Sequence, residues 1–208
     1  MDSSTGRASW AARANAAVFQ GSHSTAGAPL GTSFRFQLVS EVYNALMLVL
    51  RYVTLLALVM WVGGLFALGA FAAPATFDVM AIRQIPDGRM LAGAVFGEIL
   101  RRFFLASCGA AVVVLGSLTL RRILGPKPRH FGLRAGLLIL MAAATTYAGV
   151  VVAGRIAVLQ STLTVAPSSL PETDARRIEF GRLHVLSTSL QLVPLLGGLV
   201  LLFWELKE

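Results

Sequence analysis

The chain has 208 residues, of which 56% are apolar and 13% charged, with a net charge of +8. Soluble domains carry about 25% charged residues, so an ordinary soluble core is excluded, and four long apolar stretches leave no room for a second globular domain of about 100 residues. The single cysteine, Cys108, excludes a disulfide framework, a cysteine-ligated iron–sulfur cluster and a Cys-rich zinc site.

The first segment, residues 1–33, is rich in Ser, Ala and Gly, with Trp10, Phe19 and Leu30 as isolated anchors. It cannot bury enough surface to offset its ordering entropy, so alone it reads as an irregular arm. It lacks the apolar core of a secretory signal. Three readings stay open: an organellar transit peptide, a misassigned start codon, or an arm lying along a partner subunit. From Phe34 onward, Phe36, Leu38, Val39, Val42, Tyr43 and Leu46 alternate with polar residues at helical spacing, which predicts an amphipathic lead-in helix at the membrane interface that then turns into the first span.

Spans are expected at about 47–73, 103–120, 137–153 and 185–204, each close to the roughly 20 apolar residues that cross a hydrocarbon core of about 30 Å. The fold class is therefore all-α, an integral membrane four-helix bundle occupying residues 34–208. Pro74 is expected to stop or kink the first helix, and Pro86-Asp87-Gly88 to make a turn. Met90–Arg102 resumes helical spacing and feeds the second span. The connection between spans two and three carries Arg121, Arg122, Lys127, Arg129 and Arg134 without an acid, which predicts a cytoplasmic loop and places both termini on the same side. Arg51 is expected to snorkel outward at that end. Before the last span, Pro167 and Pro171 predict a loop, then a short polar helix over Glu172–Arg182 that Ser168-Ser169-Leu170-Pro171-Glu172 caps. In this setting the positive charge reads as membrane-flank Lys and Arg meeting anionic lipid, so membrane lipids and no nucleic acid are the expected partners.

Small residues punctuate every span, including Gly63, Gly64, Gly109, Gly149, Gly197 and Gly198. Helices in lipid associate through close backbone packing. That pattern supports a compact bundle and, equally, self-association or contact with other membrane subunits.

Trp61-Val62-Gly63-Gly64, Ala73-Pro74, Ala92-Gly93 with Phe96, and Phe180-Gly181-Arg182-Leu183-His184 with Ser187 and Gln191 resemble bacterial members of the transmembrane protein 205-like family, a four-span domain of unknown function. The resemblance covers roughly Leu48–Phe203. It implies the fold, and a loose link to resistance against toxic metals or drugs. The Trp-x-Gly-Gly pattern also resembles copper-resistance protein D-like membrane domains and haem-binding four-helix membrane proteins. A histidine often sits two turns before the Trp in those relatives. Here that position is Thr54, which argues against transferring their haem or metal role.

His184 is the leading candidate for cofactor binding, as a single axial ligand to haem or chlorophyll, since a lone imidazole can serve that role. The plainer reading is a hydrogen bond to Glu98, Asp78 or a backbone carbonyl. Ser187, Thr188 and Gln191 come next at spacings that share its helical face. Thr145, Thr146, Tyr147, Arg155 and Cys108 are expected to approach from the neighbouring spans, so a polar pocket built on Ser187, Gln191, Tyr147 and Arg155 is expected. The plainer reading here is that the hydroxyls bond their own helix carbonyls. Arg101 and Arg102 beside Glu98 read as an interfacial anchor, or as a lipid-headgroup or anion site with Arg155. Met60 and Met141 do not cluster with Cys108, so no metal site is expected. No carboxylate lies in the middle of a span, and P-loop, nucleophile-elbow and HExxH motifs are absent from the sequence.

These features predict a protein that is not an enzyme. The leading expectation is an accessory subunit of a larger bioenergetic or photosynthetic membrane complex, or a self-associating bundle, in a bacterial cytoplasmic membrane or alternatively an organellar inner membrane. The first alternative is a small transporter or resistance protein for a hydrophobic or metal-containing compound. A haem- or chlorophyll-binding protein using His184 is the second.

Overall fold

The computed structural model describes residues 30–125 and 130–207, with side chains from residue 37 onward. The arm expected over residues 1–33 falls outside the described residues up to position 29, as do Lys127 and Arg129. The chain divides into two compact units, Met1–Leu46 and Met47–Glu208. In the first, helix α1 (Leu30–Ala67) already includes the residues expected as a lead-in, and Leu38, Val39, Val42 and Leu46 are exposed. One helical element thus covers what was expected as two.

Within the second unit, α1 passes through a π-helical turn, Leu68–Ala72, into α2 (Ala73–Ile82). Pro74 neither stops nor replaces the helix. It sits in the first turn of α2, where a missing N–H is tolerated, and the wider turn before it is closed by the Ala73 N–H donating to the Leu68 carbonyl five residues back. Gln84 and Asp87 take left-handed backbone conformations in the expected turn. Helix α3 (Gly88–Leu124) then runs unbroken. A second π-helical turn, Tyr147–Val152, joins α4 (Phe131–Thr146) to α5 (Ala153–Ser161) as one span. After a 3-10 turn at Pro167–Ser169 comes α6 (Ala175–Lys207). No separate polar helix precedes the last span, because Glu172 and Asp174 lie in the turn and residues 175–182 are the first turns of α6 itself. The cap is Asp174, whose carboxylate accepts the Arg176 backbone N–H at 2.8 Å.

Four helical stretches are long and apolar enough to cross a membrane: Gln37–Ile82, Gly88–Leu124, Phe131–Ser161 and Ala175–Lys207. Each contains its expected apolar core and extends about one to four turns beyond it at each end. Apolar length marks the hydrocarbon-buried part, whereas the helices continue into the headgroup layer, where polar side chains are solvated. The described residues contain no strand, so the all-α membrane-type bundle stands.

α4 packs against α3 and α6, and α2 and α5 pack against α3 and α6 respectively. Close approach depends on glycine. A Cβ on Gly198 would meet Val62 Cγ2, and one on Gly197 would lie 2.9 Å from Met141 Cγ and Sδ. Trp61 and Met141 are fully buried, and with Leu58, Val114, Leu138 and Leu201 they fill one half of the bundle. Lipid is as apolar as these side chains, so van der Waals contact rather than water exclusion holds them together.

Candidate functional site

Residues 89 and 121 of α3 are 32 positions apart, about 48 Å along a helix. That span compares with about 40–45 Å for a bilayer including its headgroups. The apolar part of α3, which begins at Phe103, is the hydrocarbon-buried stretch, and the exposed ion-paired Glu98, Arg101 and Arg102 just before it mark one interface.

At the Arg121 end, four helices meet around Glu205. Arg121 Nη1 donates to Glu205 Oε1 and Oε2 at 2.8 and 3.0 Å, and Arg134 Nη1 donates to Oε1 at 3.3 Å. Arg51 Nη2 donates to the Glu205 backbone carbonyl at 2.6 Å, and Arg134 Nη2 to that of Trp204 at 3.2 Å. Arg134 and Glu205 are only 4% and 3% exposed. Placing Arg134 in a solvated loop and pointing Arg51 outward is thus corrected: both turn inward, since a buried carboxylate is tolerated only when paired and hydrogen-bonded. Arg121 belongs to the last turn of α3. His130 stacks on Trp204 beside this cluster, with ring centroids 6.4 Å apart.

The other half of the unit is hollow. A chamber of about 480 Å³ lies between α3, the α4–α5 span and α6. Its walls are small: Gly93, Ala94 and Gly97 from α3, and Gly149, Ala153 and Gly154 from the facing span. Phe103 and Phe104 form the deep end. Their rings lie where side chains on Gly64 and Gly149 would otherwise stand. Gly149 belongs to the π-helical turn, a feature frequent at functional sites. Toward the interface, Gly93, Ala94 and Gln160 also line a vestibule of about 680 Å³, completed by Phe77, Arg89, Phe180 and His184 among others.

Polar groups collect at the deep end of the chamber. Ser107 is the twentieth of 37 residues of α3, Thr145 the fifteenth of 31 in its span, and Gln191 the seventeenth of 33 in α6. All three line the chamber, with Ser187 one turn above Gln191. Hydroxyls within apolar helices normally donate to the carbonyl four residues back. Thr54, Thr76, Thr119 and Thr188 do so, at 2.7 to 3.0 Å. Ser107 Oγ and Thr145 Oγ1 are buried and hydrogen-bond to no protein atom among the described residues.

The expected polar pocket is therefore divided. Ser187 and Gln191 reach the chamber, while His184 lies in the vestibule wall. Tyr147, 46% exposed, lines a separate concavity on the outer face between α3 and α4, and Arg155 is exposed and lines none of these cavities. For Arg155 the reason is the π-helical turn Tyr147–Val152, which shifts the residues beyond it out of simple helical register; Tyr147, which opens that turn, lies about 200° around the helix from chamber-lining Thr145. His184 makes no bond to Glu98 or Asp78. It stacks on Phe180 with centroids 6.2 Å apart and planes within 10°, and no other histidine among the described residues faces it, since His130 is at the opposite end. Glu98 is engaged by Arg101 at 2.7 and 2.9 Å and by Arg102 at 2.8 Å. Arg101 lines the chamber rim and Arg102 is exposed; Arg155 does not join them. Met60 is half exposed and Met141 lies in the core. Among the described residues no group of three or more His, Cys, Asp or Glu is placed to hold a metal.

Sequence reasoning missed Ser107, Gln160 and the Glu205 cluster. A signal for the first exists: Phe103, Ser107, Ala110, Val114, Ser117 and Arg121 form one stripe at alternating four- and three-residue spacing, all at least partly buried. A serine inside that stripe has to face the bundle.

Fold and cavity together define a four-span helical membrane-type protein with a chamber lined by α3, the α4–α5 span and α6. The chain belongs to the family described as Domain of unknown function (DUF4149), whose model matches residues 56–163. That stretch holds the chamber walls of α3, α4 and α5 but not α6. No curated protein and no solved structure matches the chain.

Proposed function

We propose that this is a non-catalytic membrane protein whose working part is the chamber, and that it binds and passes on a small hydrophobic compound bearing a hydrogen-bonding group. One observation carries this reading: Ser107 and Thr145, both among the residues lining a 480 Å³ chamber, carry buried hydroxyls without a protein partner among the described residues. An unsatisfied buried hydroxyl costs about 1–3 kcal/mol, a cost that a bundle closed for structural reasons alone avoids by bonding its helix carbonyls. Likeness to transmembrane protein 205-like proteins, linked to drug and metal resistance, points the same way, as does the apolar vestibule leading in from the interface. The accessory-subunit reading rests on the small-residue packing faces, the arm expected over residues 1–33 and the absence of catalytic or coupling motifs from the sequence; exposed apolar rows such as Val112, Leu140 and Leu196 suit it, and lipid covers such rows equally well. The reading includes a bacterial cytoplasmic membrane with both termini cytoplasmic, supported by Arg121, Arg122 and Arg134 at one end.

The test is purification in mild detergent, then mass spectrometry of both protein and organic extract. A bound small molecule that disappears in Gly97→Phe supports the chamber. Gly97 lines it, and an added Cβ meets nothing within 4 Å there. Stoichiometric foreign subunits and an empty extract would refute it in favour of the accessory role.

A further inference from the structure

The geometry points to a ligand class for the chamber: a neutral, planar ring compound carrying carbonyl or other acceptor oxygens, such as a quinone. This assignment rests on the proposed role of the chamber as a binding site. Shape comes first. Small residues of α3 and of the facing span give the chamber its width, while Leu65, Leu100, Phe103, Phe104 and Ile156 bound it with apolar side chains. A rigid ring fills such an apolar space with less ordering cost than a flexible chain. Phe103 and Phe104 offer ring contacts at its deep end, where offset or edge-to-face arrangements are favourable.

Charge comes second. Among the described residues the chamber's charged liner is Arg101, which is held at the rim by both oxygens of Glu98 at 2.7 and 2.9 Å. An anion inside the chamber would meet no counter-charge beyond Arg101, which Glu98 already engages, and an unpaired ionised group among apolar walls is costly. Neutral ligands are therefore favoured. Hydrogen bonding comes third. Ser107 Oγ and Thr145 Oγ1, buried and without a protein acceptor among the described residues, and the Gln191 amide supply donors near one level. They need an acceptor oxygen on the ligand, with any apolar tail running back past Gln160 into the vestibule.

The experiment uses the full chain in detergent with Trp10→Phe and Trp204→Phe, so that Trp61 reports alone. Trp61 is one helical turn from chamber-lining Leu65. The probe is menadione, a planar naphthoquinone that quenches indole fluorescence, with dodecanol as a neutral flexible competitor. Saturable quenching is expected, weakened at least tenfold in Gly97→Phe and about three- to tenfold in Ser107→Ala, the worth of one hydrogen bond. Dodecanol should compete at least tenfold less well. If dodecanol competes as well as menadione and Gly97→Phe blocks both, ring selectivity is wrong while the binding role of the chamber survives. If quenching is non-saturable and indifferent to Gly97→Phe, both readings fall.

Discussion

Replacing Ser107 by alanine should stabilise the protein while impairing what it does. Ser107 is 1% exposed, and its hydroxyl has no protein acceptor among the described residues. Removing an unsatisfied buried hydroxyl recovers about 1–3 kcal/mol. Alanine's better helix propensity adds a few tenths, within a scale of about 0.7 kcal/mol for ordinary residues. No hydrogen bond is lost, because the oxygen has no partner among the described residues. A gain of about 1–3 kcal/mol is therefore expected in SDS-titration unfolding monitored by far-UV circular dichroism. Thr119→Ala is the contrast: its hydroxyl donates to the Leu115 carbonyl at 2.8 Å, and its loss should give no comparable gain. A stabilised Ser107→Ala with weakened ligand binding is what a site kept at the expense of stability produces. Destabilisation by more than about 0.5 kcal/mol, with binding unchanged, would mean that the hydroxyl is satisfied in the membrane and that the reasoning is wrong.

Glu205→Gln removes the counter-charge of Arg121 and Arg134 and should cost about 3–5 kcal/mol in the same titration, as breaking a buried pair does; adding Arg134→Gln should restore part of it, and strictly additive losses would show the groups to be uncoupled. Gly198→Ala forces a methyl into Val62 and should cost about 1–3 kcal/mol, whereas Gly63→Ala, with nothing within 4 Å of its Cβ, should stay within about 0.5 kcal/mol; equal effects would remove the packing argument. The Asp174 carboxyl is lowered from 3.8 to about 2, chiefly by the Arg176 side chain and then by the Arg176 backbone N–H. Because the folded value is depressed, its hold on the start of α6 is present above about pH 4 and is lost as pH falls through about 2. An NMR carboxyl titration should place the midpoint near the lower value and return it toward 3.8 in Arg176→Gln; an ordinary midpoint in the parent would contradict the cap.

How much of the site could be read in advance differs residue by residue. Ser187 and Gln191 were legible because α6 is a regular helix and their spacing from His184 puts them on one side. Yet even there His184 and Gln191, seven residues apart, serve different cavities, since the vestibule and the chamber meet α6 at different depths. Arg155 was not legible, whereas helical counting already puts Tyr147 about 200° from Thr145. A π-helical turn adds a residue to one turn of the helix, and residues beyond it leave the face that 3.6-residue counting assigns to them. Glu205 sits three residues before the final position, beside Lys207, and reads as a solvated interfacial charge. Only the convergence of three arginines from three other stretches of chain makes it a buried one.

Length and hydropathy alone set the solvent in which this chain folds. Four apolar stretches matched to a hydrocarbon core require backbone hydrogen bonds to be satisfied within each segment, which leaves helices as the only solution for such a chain. The number, order and approximate centres of those helices are local properties, and they could be read directly from the residues. Packing decided which polar groups find partners. Gly197 and Gly198 let α6 approach α4 and α1 closely at one end, around Trp61 and Met141, while Gly97 and Gly154 line open space between α3 and its neighbours at the other. Whether a glycine becomes a contact or a cavity wall depends on the direction and separation of two helices far apart in sequence, and that is settled only when they pack.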